Sequence, residues 1–111
     1  LTNFKYSVSE SRSYPYAEIS DLLRQRPELE PEVWDTLSYF DIANFASLVK
    51  CPTLLSVGLD DDVCPPAATL AMSERLGGEV ELRTYPETGH EHGGLTHQHL
   101  KLKWLKERLG L

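Results

Sequence analysis

Apolar residues in the first half of the chain recur at helical intervals. Tyr16, Ile19, Leu22 and Leu23 fall on one face, and Pro27 closes the pattern, which predicts a helix between them. Val33, Trp34, Leu37 and Phe40 repeat the signal after Pro31. Proline is favoured in a first helical turn, so a second helix is predicted from there. Asp41 is placed to cap a short further helix holding Ile42, Phe45 and Leu48. Residues 1–15 are polar, rich in Ser and Tyr, and read as an irregular lead-in.

From residue 52 the pattern changes. Pro52-Thr53-Leu54-Leu55-Ser56-Val57-Gly58 is short, β-favouring and mostly apolar, as expected of a strand buried on both faces in a parallel sheet. Leu59 to Cys64 is an acidic loop. Pro65-Pro66 leads into a helix with Leu70, Ala71 and Met72 inward, stopped by Gly77-Gly78. Val80 to Tyr85 predicts a second strand, and Pro86 to Gly94 a loop rich in Gly and His. A last helix carries Leu95, Leu102, Leu105 and Leu109 on one side, with Trp104 adjacent. Strand, loop, helix, strand, loop, helix is the α/β pattern. The connection is long enough for a crossover helix, so the strands are predicted to be parallel and the crossover right-handed. Two strands are too few for a stable parallel sheet. Others are expected from upstream sequence or from another chain.

Composition adds bounds. A length of 111 residues suggests at most one domain, and 41% hydrophobic with 25% charged residues is ordinary soluble usage. The net charge of -6 argues against a nucleic-acid partner, because phosphate binding needs a basic face. Lys101, Lys103, Lys106 and Arg108 gather near the end of the last helix, where cations complement the helix dipole. No apolar run approaches the ~20 residues that span a bilayer. The start, Leu1-Thr2-Asn3-Phe4-Lys5, lacks both an initiator Met and the features of a signal peptide, and reads as the middle of a longer chain. Cys51 and Cys64 flank the first strand and have no CxxC partner. They are expected to be too far apart to bridge and to be free thiols, as in a reducing compartment.

In open α/β sheets the reactive groups sit on loops beyond the carboxyl ends of the strands. The first such loop carries Asp60, Asp61 and Asp62, and the second carries His90. An acid after one strand and a histidine after the next is the tail of the order Ser…Asp…His of α/β-hydrolases. In that arrangement the imidazole takes the serine proton, and a carboxylate fixes its tautomer and stabilises the imidazolium. Taken singly, an acidic loop is more often a solvated turn and a Gly-His pair a surface histidine. The two in order, on the right loops, point to catalysis. Spacing alone leaves Asp60 and Asp61 both open.

Four histidines invite a metal reading on His90, His92 and Glu91, with Glu87 nearby. No HExxH or Cys-His zinc spacing occurs, and solvated polar residues are the favoured reading, with no metal. His97 and His99 lie two apart, on different faces of the last helix, and are expected on its outer side. No Gly-x-Ser-x-Gly occurs in these residues, and Ser38 and Ser56 fall within predicted elements. Cys64 is the runner-up nucleophile, but the acidic run before it opposes a thiolate, and it reads as a packing residue.

The segment Asp35-Thr36-Leu37-Ser38-Tyr39-Phe40-Asp41 resembles a stretch of the acetyl xylan esterase and cephalosporin C deacetylase family, as does Pro15-Tyr16-Ala17-Glu18-Ile19. So does Ser56-Val57-Gly58-Leu59-Asp60-Asp61-Asp62-Val63-Cys64-Pro65-Pro66, whose usual family form is Ser-Val-Gly-Leu-Met-Asp, two residues, then Cys-Pro-Pro. The match places the family's catalytic Asp on Asp61. Tyr85-Pro86, three residues, then His90-Glu91 places its catalytic His on His90. The similarity runs from about Tyr14 to Leu109.

The resemblance implies the C-terminal part of an α/β-hydrolase fold over residues 1–111, with the nucleophile half upstream. It implies a serine esterase that removes acetyl groups from acetylated xylo-oligosaccharides or cephalosporin C-like esters. No cofactor, no membrane, a cytoplasmic location and a homo-oligomer, often a hexamer, go with it. His92 departs from the family, which often has Gly there, in a loop at the rim of the site. The nucleophile and oxyanion-hole residues are absent from these residues, so the chain alone is expected to be inactive. The rival reading is a non-catalytic α/β interaction module or remnant.

Overall fold

A computed structural model describes all of residues 1–111. Seven regular elements follow one another: helices α1 (Phe4–Glu10), α2 (Tyr16–Gln25) and α3 (Glu30–Ser38), strand β1 (Thr53–Gly58), helix α4 (Pro66–Ser73), strand β2 (Val80–Tyr85) and helix α5 (Gly94–Leu109). A 3₁₀ turn at Pro27–Leu29 joins α2 to α3, and two more, at Ile42–Asn44 and Ala46–Leu48, lead from α3 to β1.

The predicted strands are both present. They pair in parallel, with Thr53 opposite Val80 and Gly58 opposite Tyr85. Both strands therefore end at the same level, and the loops that leave them start side by side. The intervening helix is shorter than its pattern predicts. It ends at Ser73, whose hydroxyl bonds the Leu70 carbonyl at 2.7 Å. The chain then tightens through i→i+3 bonds such as Arg75 N–H to the Met72 carbonyl. Met72 and Ala68 face inward, Leu70 is half-buried, and Ala71 is exposed, contrary to the pattern. Gly77 is not a left-handed helix cap. It is small because the backbone of the turn at Ala46–Leu48 lies against it, where a Cβ would come 2.3 Å from the Ser47 carbonyl oxygen.

The lead-in is not irregular. Residues 4–10 form α1, which buries Phe4, Ser7 and Val8. Its cap comes from far along the chain. Asp41 accepts hydrogen bonds from the Asn3 N–H (2.9 Å), the Phe4 N–H (3.0 Å) and the Thr2 hydroxyl (3.2 Å). The same carboxylate accepts the Ala43 N–H at 3.0 Å and so caps the turn at Ile42–Asn44, but the short helix predicted there is two separate 3₁₀ turns with Ile42, Phe45 and Leu48 exposed. Burial alone would raise the Asp41 carboxyl. The N–H groups of Phe4, Asn3 and Ala43 and the Thr2 hydroxyl outweigh burial and hold it below the usual carboxylate range.

Two small apolar clusters result. Phe4, Val8 and Tyr16 meet Ile19, Trp34, Leu37 and Cys64, with Phe4 and Tyr16 edge to face at 6.3 Å. Burial, helped by the contact with Cys64, pushes the Tyr16 phenol up to about 12. Cys64 is thus a packing residue, and both cysteines are free. Ala43, Ala46 and Met72 form the second cluster with Leu55 and Leu76. Much apolar surface stays uncovered. Only 16 of 111 residues are buried, and the predicted apolar side of α5 faces solvent, with Leu95, Leu102 and Leu109 exposed. No helix is long and apolar enough to cross a membrane.

Candidate active site

The site lies where β1 and β2 end. The loop after β1 and the loop after β2 are stitched together by main chain. The Leu59 N–H bonds the Tyr85 carbonyl and the Asp60 N–H bonds the Thr88 carbonyl, each at 3.0 Å. Gly58 makes this approach possible. A Cβ there would stand 2.1 Å from the Gly89 carbonyl oxygen and 2.5 Å from that of Thr88. The histidine loop can therefore lie directly on the end of β1.

Of the three aspartates on the first loop, Asp60 and Asp62 are exposed, whereas the Asp61 side chain is 1% exposed. Its Oδ1 accepts the N–H groups of Val63 (2.9 Å) and Cys64 (2.8 Å). These bonds turn the loop back on itself and fix the carboxylate, the ordinary use of an aspartate in a tight turn. The free edge of the carboxylate faces His90, whose Nδ1 lies 3.1 Å from Oδ2 and 3.3 Å from Oδ1. The His90 ring is 55% exposed, and its Nε2 has no partner in this chain. A buried acid holding one nitrogen of an exposed imidazole leaves the other nitrogen free to exchange a proton at the surface. Asp61 and His90, the two residues assigned from the sequence, are thus brought together. Asp60 is not.

His92 stands closer to the pair than its rim position suggests. Its Nδ1 accepts the Gly58 N–H at 3.3 Å, and its Nε2 faces Asp61 Oδ2 at 3.6 Å. Its ring centre is 5.1 Å from that of His90. Donor atoms of Asp61, His90 and His92 all lie within 4.8 Å of one another, a spacing found in metal sites. Glu91 and Glu87, considered with them from the sequence, are exposed and stand outside that group.

His97 corrects another expectation. It does not lie on the outer side of α5 but packs edge to face on Tyr85, with its Nδ1 3.1 Å from the phenol oxygen. Burial first, then the charges of Lys101 and His92, hold it below the ordinary histidine value. His99 is exposed, as expected. The contact pairs the last residue of β2 with the first turn of α5. An aromatic at a strand end followed twelve residues later by a helical histidine carries no periodic signal by which to find it.

The model of the acetyl xylan esterase family (AXE1) matches residues 1–108. An acetyl xylan esterase structure from Paenibacillus sp. R4 superposes with a TM-score of 0.89 at 38% identity, over 96% of this chain and 34% of that one. Acetyl xylan esterase 1 from Thermoanaerobacterium sp. JW/SL YS485 gives 0.78 at 32% identity, over 91% of this chain and 33% of that one. Among curated proteins, the acetyl esterase Axe7A of Xylanibacter ruminicola is 29% identical over 79 residues, 71% of this chain and 18% of its own length. The chain therefore spans about a third of the length of these solved relatives and less than a fifth of the curated one. Its two parallel strands and their crossover helix are of the α/β-hydrolase type shared with those neighbours.

Proposed function

This chain belongs to the acetyl xylan esterase family, and from that premise we propose that it carries the acid and the histidine of a serine-esterase triad. His90 Nε2 takes the proton of a serine hydroxyl as that oxygen attacks the acetyl carbonyl. It then returns the proton to the leaving alcohol, and a water repeats the cycle on the acyl-enzyme. Asp61 holds the His90 Nδ1–H and stabilises the imidazolium. The observation that carries this reading is the 3.1 Å contact between His90 Nδ1 and a buried Asp61 already clamped by two backbone N–H groups.

The serine and the oxyanion donors come from residues outside these 111. The lack of a Gly-x-Ser-x-Gly, the open outer edges of both strands and the uncovered leucines of α5 support a larger domain of which this is the C-terminal part. The substrates are acetylated xylo-oligosaccharides, in line with the names of the relatives, or small acetyl esters of the cephalosporin C type. By the same family resemblance, the complete protein is a cytoplasmic homo-oligomer such as a hexamer and needs no cofactor.

The test uses the complete polypeptide that holds this chain, with acetate release from acetylated xylo-oligosaccharide and p-nitrophenyl acetate as the readouts. Asp61→Asn and His90→Ala should each lower kcat by about a thousandfold or more, while Asp60→Asn should leave it within about twofold. Unchanged deacetylation in Asp61→Asn would refute the triad. A folded wild-type protein with no esterase activity would favour a non-catalytic module instead.

A further inference from the structure

His92 has a role that the triad alone does not assign, and its argument rests on that triad reading. A main-chain N–H can only donate, so the Gly58 N–H at 3.3 Å requires a lone pair on His92 Nδ1. The proton of the neutral ring is then on Nε2, the nitrogen that faces Asp61 Oδ2 at 3.6 Å. That distance is too long for a hydrogen bond, but it brings the N–H close to the carboxylate oxygen that holds His90. The other oxygen, Oδ1, is taken by Val63 and Cys64. Oδ2 thus stands between His90 Nδ1 at 3.1 Å and His92 Nε2 at 3.6 Å. The same tautomer leaves no lone pair on Nε2 to join a metal with Asp61 and His90. The cluster's spacing is thus explained by hydrogen placement rather than by ligation.

The backbone bears the cost of this placement. His92 has φ 50, in the left-handed region that a residue with a side chain adopts rarely. Its N–H bonds the Gly89 carbonyl at 3.1 Å, which closes the turn and brings the ring back over the strand end. Strain of this kind persists where surrounding contacts hold it, here Gly58 on one side of the ring and His90 on the other.

We infer that His92 is a positioning residue for the Asp61–His90 pair. Its Nε2–H faces the shared carboxylate, and its ring walls that of His90 so that Nδ1 stays on Asp61.

Three variants of the complete polypeptide test this. His92→Gly relaxes the backbone and removes the ring. It should lower kcat roughly tenfold with KM little changed, the signature of lost preorganisation. In His92→Gln the amide oxygen replaces Nδ1 as acceptor and the amide N–H replaces Nε2–H, so kcat should return to within about threefold of wild type. In an Asp61→Asn background, His92→Gly should cost nothing more. Nitrogen NMR of the wild type should show His92 as the Nε2–H tautomer. Wild-type kcat in His92→Gly beside an inactive Asp61→Asn would overturn this inference and leave the triad standing. So would a Gln variant no better than Gly, or an Nδ1–H tautomer. Full activity in Asp61→Asn would overturn the triad, and this inference with it.

Discussion

A methyl group at Gly58 is predicted to uncouple the acid from the histidine without touching either. The added Cβ of Gly58→Ala would lie 2.1 Å from the Gly89 carbonyl oxygen, and real Cβ contacts are essentially never below 3.0 Å. The histidine loop must therefore lift by roughly 1 Å, since β1 is held in the sheet and gives less readily than a loop. His90 is the next residue, so its 3.1 Å contact with Asp61 opens to about 4 Å, beyond hydrogen-bond range. A misplacement of about 1 Å at a catalytic group can cost about a hundredfold in rate, and overpacking costs about 1–3 kcal/mol in stability. Gly58→Ala in the complete polypeptide should thus lose about two orders of magnitude in kcat, with a melting temperature lower by several degrees. Gly89→Ala is the control from the same loop. Its Cβ would meet nothing nearer than Glu91 Oε2 at 3.4 Å and the Asp60 carbonyl at 3.5 Å, and it should stay within about threefold of wild type. Steady-state hydrolysis of p-nitrophenyl acetate and thermal unfolding measure both. Wild-type kcat in a folded Gly58→Ala, or equal losses in the two variants, would refute the reasoning.

Two further predictions concern stability. Asp41→Ala leaves three N–H groups and a hydroxyl without their acceptor and should cost about 3 kcal/mol in denaturant unfolding, with α1 losing its protection first. Because the folded carboxyl of Asp41 sits below its unfolded value of 3.8, its contribution is complete above that pH and is lost as pH falls through the lower folded value. Asp41→Asn should flatten that acid limb in pH-dependent melting. His97 is likewise depressed, below 6.5, so the unfolded chain binds the proton more readily and stability falls as pH drops through that region. In His97→Gln that part of the decline should disappear, and an unchanged pH profile would count against the packing described for Tyr85.

The parts legible in the sequence are those that local pattern controls. β2 was readable because Val80 to Tyr85 is β-favouring and bounded by Gly78 and Pro86. That Asp61 and His90 meet was readable because parallel strands deliver the loops after them to one place. Choosing Asp61 over Asp60 needed the family resemblance, since what separates them in space is which carboxylate turns back under Val63 and Cys64. α1 was missed because its cap is Asp41, far along the chain, and because Ser and Tyr are weak helix formers. The inward turn of His92 was missed because a left-handed residue in a glycine-rich loop has no signal except the residue that breaks the glycine pattern. The leucines of α5 predicted to share one side are all exposed, because this chain supplies nothing to cover them.

The acid and the histidine are separated by 29 positions, and the regular elements between them are one helix, α4, and one strand, β2. On the proposed reading, the acid–histidine pair is carried by one continuous stretch, while the serine lies elsewhere. Mutations elsewhere in such an enzyme can reshape the pocket that chooses an ester while leaving the pair's geometry to the register of one strand pair. Selection on substrate choice and selection on turnover would then act on different stretches of the gene, and new specificities could arise without the chemistry being reinvented.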